Sequence, residues 1–226
     1  KAQEIANEVL IDIKKIIGIN FKDWKIKFEY IYLLMFIQTE ETPNPNTLKF
    51  IPGVQVLKEG TVEFKDKDSA KFSNLANLIF LIDGIERVFL ATEFVSVTKN
   101  NENNWEILKP LILTAIMDHY ASGKKVIEKN QNNINESMEE DSEVVKQIKE
   151  LIDQRVRPAV AMDGGDISFC SFEDGVVTLQ MKGACAGCPS STATLKMGIE
   201  NMLRHYIPEV VEVKAAEMWD LKIKPY

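Results

Sequence analysis

The sequence predicts an α+β architecture: two small α/β-sandwich-like domains joined by a flexible polar linker and preceded by a helical extension. Three observations carry that expectation. At 226 residues the chain exceeds the roughly 100–200 of a single domain. Strand-like and helix-like hydrophobic periods alternate on both sides of residues 122–142. That stretch, SGKKVIEKNQNNINESMEEDS, is rich in Asn and Glu and has no apolar period, as expected of a tether. The boundaries that follow are an extension over 1–34, a first domain over 35–121, the linker over 122–142 and a second domain over 143–226.

In chain order, Ile5, Val9, Ile13, Ile16 and Ile17 repeat at helical spacing before Gly18 and give the extension one amphipathic helix. It contains no Arg and no Ser but carries Glu4, Glu8, Asp12, Asp23 and Glu29, unlike a mitochondrial presequence. From Met35, MFIQTE and LKFIPG read as short strands around the turn Thr42-Pro43-Asn44-Pro45-Asn46. Ser69 is the expected N-cap of a helix with Phe72, Leu75, Ile79 and Ile82 on its inner face, closed by Asp83-Gly84. Strands follow in IERVFLA and FVSVT. A further helix then places Trp105, Leu108, Ile112, Ala115, Ile116 and His119 on one face, with Pro110 leaving its start open.

Beyond the linker, Val144, Val145, Ile148, Leu151, Ile152 and Val156 form a helical stripe that Pro158 is expected to stop. Asp163-Gly164-Gly165-Asp166 reads as a tight turn. ISFCSF and VVTLQM are strands joined by a hairpin at Glu173-Asp174-Gly175, with Val177, Leu179 and Met181 on one face. A helix carrying Leu195, Ile199, Met202, Leu203 and Tyr206 inward, ended by Pro208, precedes a last strand around VVEVKA.

The charge balance narrows the function classes. With 27 Lys and Arg against 34 Asp and Glu the net charge is −7, which argues against binding nucleic acid by phosphate neutralisation. No run approaches the eighteen or so apolar residues of a membrane span, so neither nucleic acid nor membrane is an expected partner. Three cysteines, two of them as C-x-x-C, do not make a disulfide framework and favour a reducing compartment.

The chemistry lies in Lys182-Gly183-Ala184-Cys185-Ala186-Gly187-Cys188-Pro189-Ser190-Ser191-Thr192. A strand delivers two thiols into a glycine-containing loop just before a helix whose N-terminus is expected to favour thiolate over thiol. A structural zinc wants about four ligands and an iron-sulfur cluster is usually held by four cysteines. Cys185 and Cys188 supply two; Cys170, in ISFCSF, reads as a small core residue, and His119 and His205 as packed or surface side chains. If a cluster binds, a second chain supplies the missing half, with a two-fold axis passing through a 4Fe-4S centre. Thiol-disulfide exchange uses the same spacing, with one cysteine attacking and the other resolving, and a zinc-bridged dimer is a third option.

DGGDISF and GACAGCPSSTATLKMGIENMLRHYIPEV closely resemble the NifU-like C-terminal domain. MFIQTEETPNPNTLKFIPG and the segment to about Tyr120 resemble the N-terminal domain of Nfu-type iron-sulfur carrier proteins. The resemblance implies a carrier rather than a catalyst, with Cys185 and Cys188 as ligands of a 4Fe-4S cluster shared in a homodimer. It further implies an upstream scaffold or cysteine desulfurase system as donor and apo iron-sulfur clients as acceptors. Residues 1–34 have no counterpart in that pattern, which makes Met35 the expected initiator. Bacterial cytoplasm is the expected location and the mitochondrial matrix the alternative. For the first domain the sequence offers no chemistry: the TPNPN turn reads as fold punctuation, with a docking loop as the alternative.

Overall fold

A computed structural model describes residues 37–128, 141–186 and 189–216, the last segment without the side chains of 189–191. The expected extension over 1–34, its helix, and most of the linker lie outside the described residues.

The first half is one five-stranded antiparallel sheet backed by two helices. Strands β1 (Gln38–Glu41), β2 (Thr47–Ile51), β3 (Val62–Phe64), β4 (Ile85–Leu90) and β5 (Val95–Lys99) are ordered β1-β2-β5-β4-β3. Period-2 alternation sends Leu48 and Phe50 of β2, Val88 and Leu90 of β4, and Val95 and Val97 of β5 into a core shared with the helices. Helix α1 (Asn74–Ile79) contributes Leu75 and Ile79, and α2 (Trp105–Ala121) contributes Leu108, Ile112 and Ile116, all buried.

Two details here depart from expectation, and one answers a point left open. Ser69 opens a 3-10 turn (Ser69–Phe72) instead of capping α1; the cap is Ser73, whose hydroxyl accepts from the Ala76 amide at 3.2 Å. Helix α2 starts at Trp105, capped by Asn104, and runs through Pro110, which sits near enough to the N-terminus for one missing donor to be tolerated. The start of the expected linker is folded: Ile127 bridges to Ser73, and the Ser73 hydroxyl donates to the Val126 carbonyl at 2.9 Å.

His119 is packed, as one of the two expected outcomes. It is fully buried in the last turn of α2, edge-on to the Tyr120 ring, and neither ring nitrogen has a hydrogen-bond partner. Burial, and to a lesser degree the nearby Lys124 charge, push its pKa below the usual histidine value. The native state therefore holds this ring neutral while the unfolded chain protonates it. The stability this provides is fully present above about pH 6.5 and is lost as pH falls below it. Urea midpoints are expected to drop between pH 7.5 and 5.5, and His119→Phe to flatten that drop; an equal slope in both proteins would contradict this assignment.

The second half begins with α3 (Glu143–Leu151), which continues through a π turn (Ile152–Val156) into α4 (Arg157–Met162). Pro158 thus does not stop the helix as expected. It lacks the amide an α-turn would use, and the wider turn immediately before it absorbs the mismatch. Strands β6 (Gly165–Glu173) and β7 (Val176–Gly183) form the expected hairpin. Its two loop residues, Asp174 and Gly175, both have positive φ, at 49° and 80°, as a twisted two-residue turn requires. Helix α5 (Pro189–Tyr206) crosses back to β8 (Glu212–Ala215), parallel to β7. Ile148, Ile152, Val160, Ile167, Val177, Leu179, Ile199, Leu203 and Val213 form the core. Tyr206, expected inward, is instead 46% exposed, with the Arg155 guanidinium 4.8 Å above its ring.

The sheet of the first half is covered on both sides. Its second face, with Lys49 on β2, Phe89 on β4 and Ser96 on β5, receives the turn between α4 and β6 and the end of β7. Ser96 Oγ donates to the Gly164 carbonyl at 2.6 Å, and Lys49 Nζ donates to the Met162 carbonyl at 3.0 Å. A small apolar patch of Phe89, Ala91 and Phe94 with Ile51 and Ala161 completes the contact. Gly164, at φ +81°, has no room for a side chain: a Cβ would lie 2.9 Å from Ser96 Oγ.

Candidate metal centre

Strand β7 ends at Gly183, where φ of +63° turns the chain into Ala184, Cys185 and Ala186. Backbone bonds shape this loop: the Ala184 amide donates to the Gly164 carbonyl and the Ala186 amide to the Gly183 carbonyl, both at 3.1 Å. From the following helix, Thr192 Oγ1 donates to the Cys185 carbonyl at 3.1 Å. The Cys185 side chain is 6% exposed and packs into the core of the second half. Its sulfur occupies the space beside Gly165, where a Cβ would stand 2.5 Å from Sγ and 2.8 Å from the Lys182 carbonyl. The Gly-Gly pair therefore serves two neighbours: Gly164 lets the first half approach, and Gly165 makes room for the thiol.

Burial pushes the Cys185 thiol up to about 12, and the carboxylates of Asp163 and Asp166 add to the rise. Burial thus works against the thiolate preference expected of the helix end at this cysteine. Asp166, beside Gly165, is itself buried and fully engaged. Arg157 Nε and Nη2 donate to its two oxygens at 2.8 and 3.2 Å, and Thr61 Oγ1 donates at 2.7 Å from the first half.

Cys188, the other expected ligand, lies outside the described residues. Cys170 stands on β6 where the pairing with β7 slips between Phe169 and Ser171. That bulge changes the expected alternation: Phe169 and Phe172 both pack against the core, and Cys170 is half-buried rather than a core residue. Five residues beyond Gly165 along the strand, it is roughly 15 Å from the Cys185 loop. His119 is sealed in the other core, and His205 is exposed against Tyr206. Among the described residues no group of three or more His, Cys, Asp or Glu side chains is placed to hold a metal ion.

Sequence reading missed Gly165, Asp166 and Arg157, and on the opposite side of the interface Asn44 and Glu63. The Asn44 side-chain amide donates to the Ala186 carbonyl at 3.3 Å, and the Gly183 amide donates to Glu63 Oε1 at 2.9 Å. DGGD and TPNPN were visible as turns, but nothing in their local spacing says that both turns end at the cysteine loop.

The fold and sequence define a class: a two-part α+β protein whose second part carries the sequence C-x-x-C between a strand ending at Gly183 and a helix beginning at Pro189. Comparison with known proteins specifies it further. Residues 37–123 match the family described as scaffold protein Nfu/NifU N terminal, and residues 148–214 match the NifU-like domain. The chain is 51% identical over 185 residues to NifU-like protein 4, mitochondrial, of Arabidopsis thaliana, covering 80% of this chain and 65% of that protein. It is 50% identical over 181 residues to the human NFU1 iron-sulfur cluster scaffold homolog, mitochondrial, covering 80% of this chain and 71% of that one. A NifU-like protein from Saccharomyces cerevisiae, solved by NMR, aligns at 30% identity and a TM-score of 0.39 over 42% of this chain and 86% of its own. The chain belongs to the Nfu family of NifU-like proteins. It spans about two thirds of the length of the curated relatives it matches. Those names say mitochondrial and give no support to the bacterial cytoplasm expected from the sequence.

Proposed function

We propose that this protein is an iron-sulfur cluster carrier that holds a 4Fe-4S cluster as cargo through Cys185 and Cys188, shared between two copies, and passes it to apo-proteins. The observation that carries this reading is the thiol inventory. Cys185 and Cys188 stand three positions apart in the sequence, while the remaining cysteine, Cys170, is displaced along β6, so one chain offers half of a four-thiolate set. Relatives named as iron-sulfur cluster scaffolds support it. The cargo chemistry is ligand exchange: each thiol gives up its proton and bonds iron, and delivery reverses the exchange onto a client's cysteines. The protein acts in mitochondria, as the names of its relatives suggest, receiving the cluster from an upstream assembly system. Residues 35–121 and 143–226 are its two working domains, the second holding the cargo.

Thiol-disulfide exchange requires an attacking thiol of depressed pKa, and burial pushes the Cys185 thiol the other way in this arrangement. A carrier role rather than catalysis is the reading that the names of the relatives support. Anaerobic reconstitution with iron and sulfide is expected to give a brown species with about four iron per dimer and a monomer-to-dimer shift. Cys185→Ala and Cys188→Ala should each lose both, and the loaded protein should activate an apo-dehydratase. Colourless protein that turns over a disulfide substrate would overturn the reading.

A further inference from the structure

The first half closes over the loop that carries Cys185, and it does so through the loop's backbone. Two contacts bracket the cysteine. Glu63 of β3 accepts from the Gly183 amide at 2.9 Å on one side, and Asn44 of the TPNPN turn donates to the Ala186 carbonyl at 3.3 Å on the other. Between them the thiol faces the core beside Gly165 and is almost wholly covered. A metal-sulfur bond is about 2.3 Å long, so an atom bonded to this sulfur needs the space that Gly165 and the surrounding core occupy here. A cluster shared with a second copy also needs the sulfur at the surface. The arrangement seen and the cargo-bound arrangement therefore exclude each other.

We propose that Asn44 and Glu63 are positioning residues that latch the Cys185 loop in its inward, cargo-free form, and that release of the first half from this loop precedes cluster binding. The interface suits such release. Its apolar part is small, resting on Phe89, Ala91 and Phe94, and most of the remainder is single polar contacts: Thr61 to Asp166, Ser96 to Gly164, Lys49 to Met162. Alongside it runs an open groove of about 440 Å³ lined in part by Thr61, Glu93, Phe94, Arg157 and Asp166, so solvent already reaches one side of the contact. By linkage, whatever separates the halves raises the affinity for cargo, and cargo in turn favours separation. This gives the first half a chemical role: it withholds the ligand thiol until a partner displaces it.

The latch rests on the reading that Cys185 binds cargo, and its test separates the two. In full-length metal-free protein, the alkylation rate of Cys185 by iodoacetamide is followed by peptide mass spectrometry for wild type, Glu63→Ala and Glu63→Gln. Cluster uptake by each is then timed under anaerobic reconstitution. Losing a hydrogen bond to a charged acceptor is expected to raise the open fraction, and with it the alkylation rate, about tenfold in Glu63→Ala. Uptake should quicken in parallel, and Glu63→Gln, which keeps a carbonyl acceptor, should stay near wild type. Unchanged alkylation in Glu63→Ala, equal acceleration in both variants, or faster alkylation with slower uptake would each overturn the latch. If alkylation responds as expected but no form takes up a cluster, the latch stands and the cargo reading fails.

Discussion

Gly165→Ala is expected to lower the stability of the second half by about 1–3 kcal/mol, the range for overpacking a filled core, and to expel the Cys185 thiol from its pocket. Backbone conformation is not the cause, since Gly165 is not among the residues with positive φ. The cause is space. The new methyl would meet Sγ at 2.5 Å, the Lys182 carbonyl at 2.8 Å and the Cys185 amide at 3.1 Å. The sulfur can rotate away, but the carbonyl and the amide belong to the β7 end and its loop and move only if the pairing of Gly165 with Gly183 loosens. Gly198 is the control. It lies within α5, where an added methyl would meet nothing inside 4 Å, so Gly198→Ala should stabilise by about 0.5–1 kcal/mol through helix propensity. Urea unfolding of the two variants should move in opposite directions, and Cys185 alkylation should accelerate only in Gly165→Ala. A Gly165→Ala protein of wild-type stability with an unreactive Cys185 would show that the sulfur does not occupy this place.

The contrast between these glycines also marks where the sequence was legible. Gly175 could be placed from its neighbours alone, because a two-residue hairpin between alternating strands demands positive φ at Asp174 and Gly175. The helix faces around Leu75, Ile112 and Leu203 were legible for the same local reason, as periodicity is a property of adjacent residues. Gly164 and Gly165 were visible only as a turn, since what fixes them is Ser96 and Cys185, 68 and 20 positions away along the chain. The inward thiol is the sharpest case. Helix-end electrostatics is a local argument and favours thiolate, whereas burial of Cys185, which works against it, depends on segments distant in sequence packing together. Pro158 erred in the other direction: a local stop signal was overridden because the stripe from Ile148 to Val160 has a core to bury.

The second large effect is expected at Arg157. Its guanidinium is the charged partner of Asp166, a carboxylate whose side chain is 7% exposed, and among the described residues the Thr61 hydroxyl also donates to that carboxylate. Removing one member of a fully buried pair costs roughly 3–5 kcal/mol. Arg157 is itself 39% exposed, so water screens part of the interaction and about 2 kcal/mol is the expected loss for Arg157→Met. The loss has a distinguishing signature. It comes from stranding the Asp166 charge, so Arg157→Met combined with Asp166→Asn should be more stable than Arg157→Met alone. Arg157→Lys should recover only part of the wild-type stability, because an ammonium cannot reproduce the two-pronged contact made by Nε and Nη2. A double-mutant cycle read by urea unfolding at constant ionic strength decides the matter. Strictly additive losses would mean that Arg157 contributes through other contacts, its 3.2 Å ion pair with Asp153 among them, and that Asp166 is held without it.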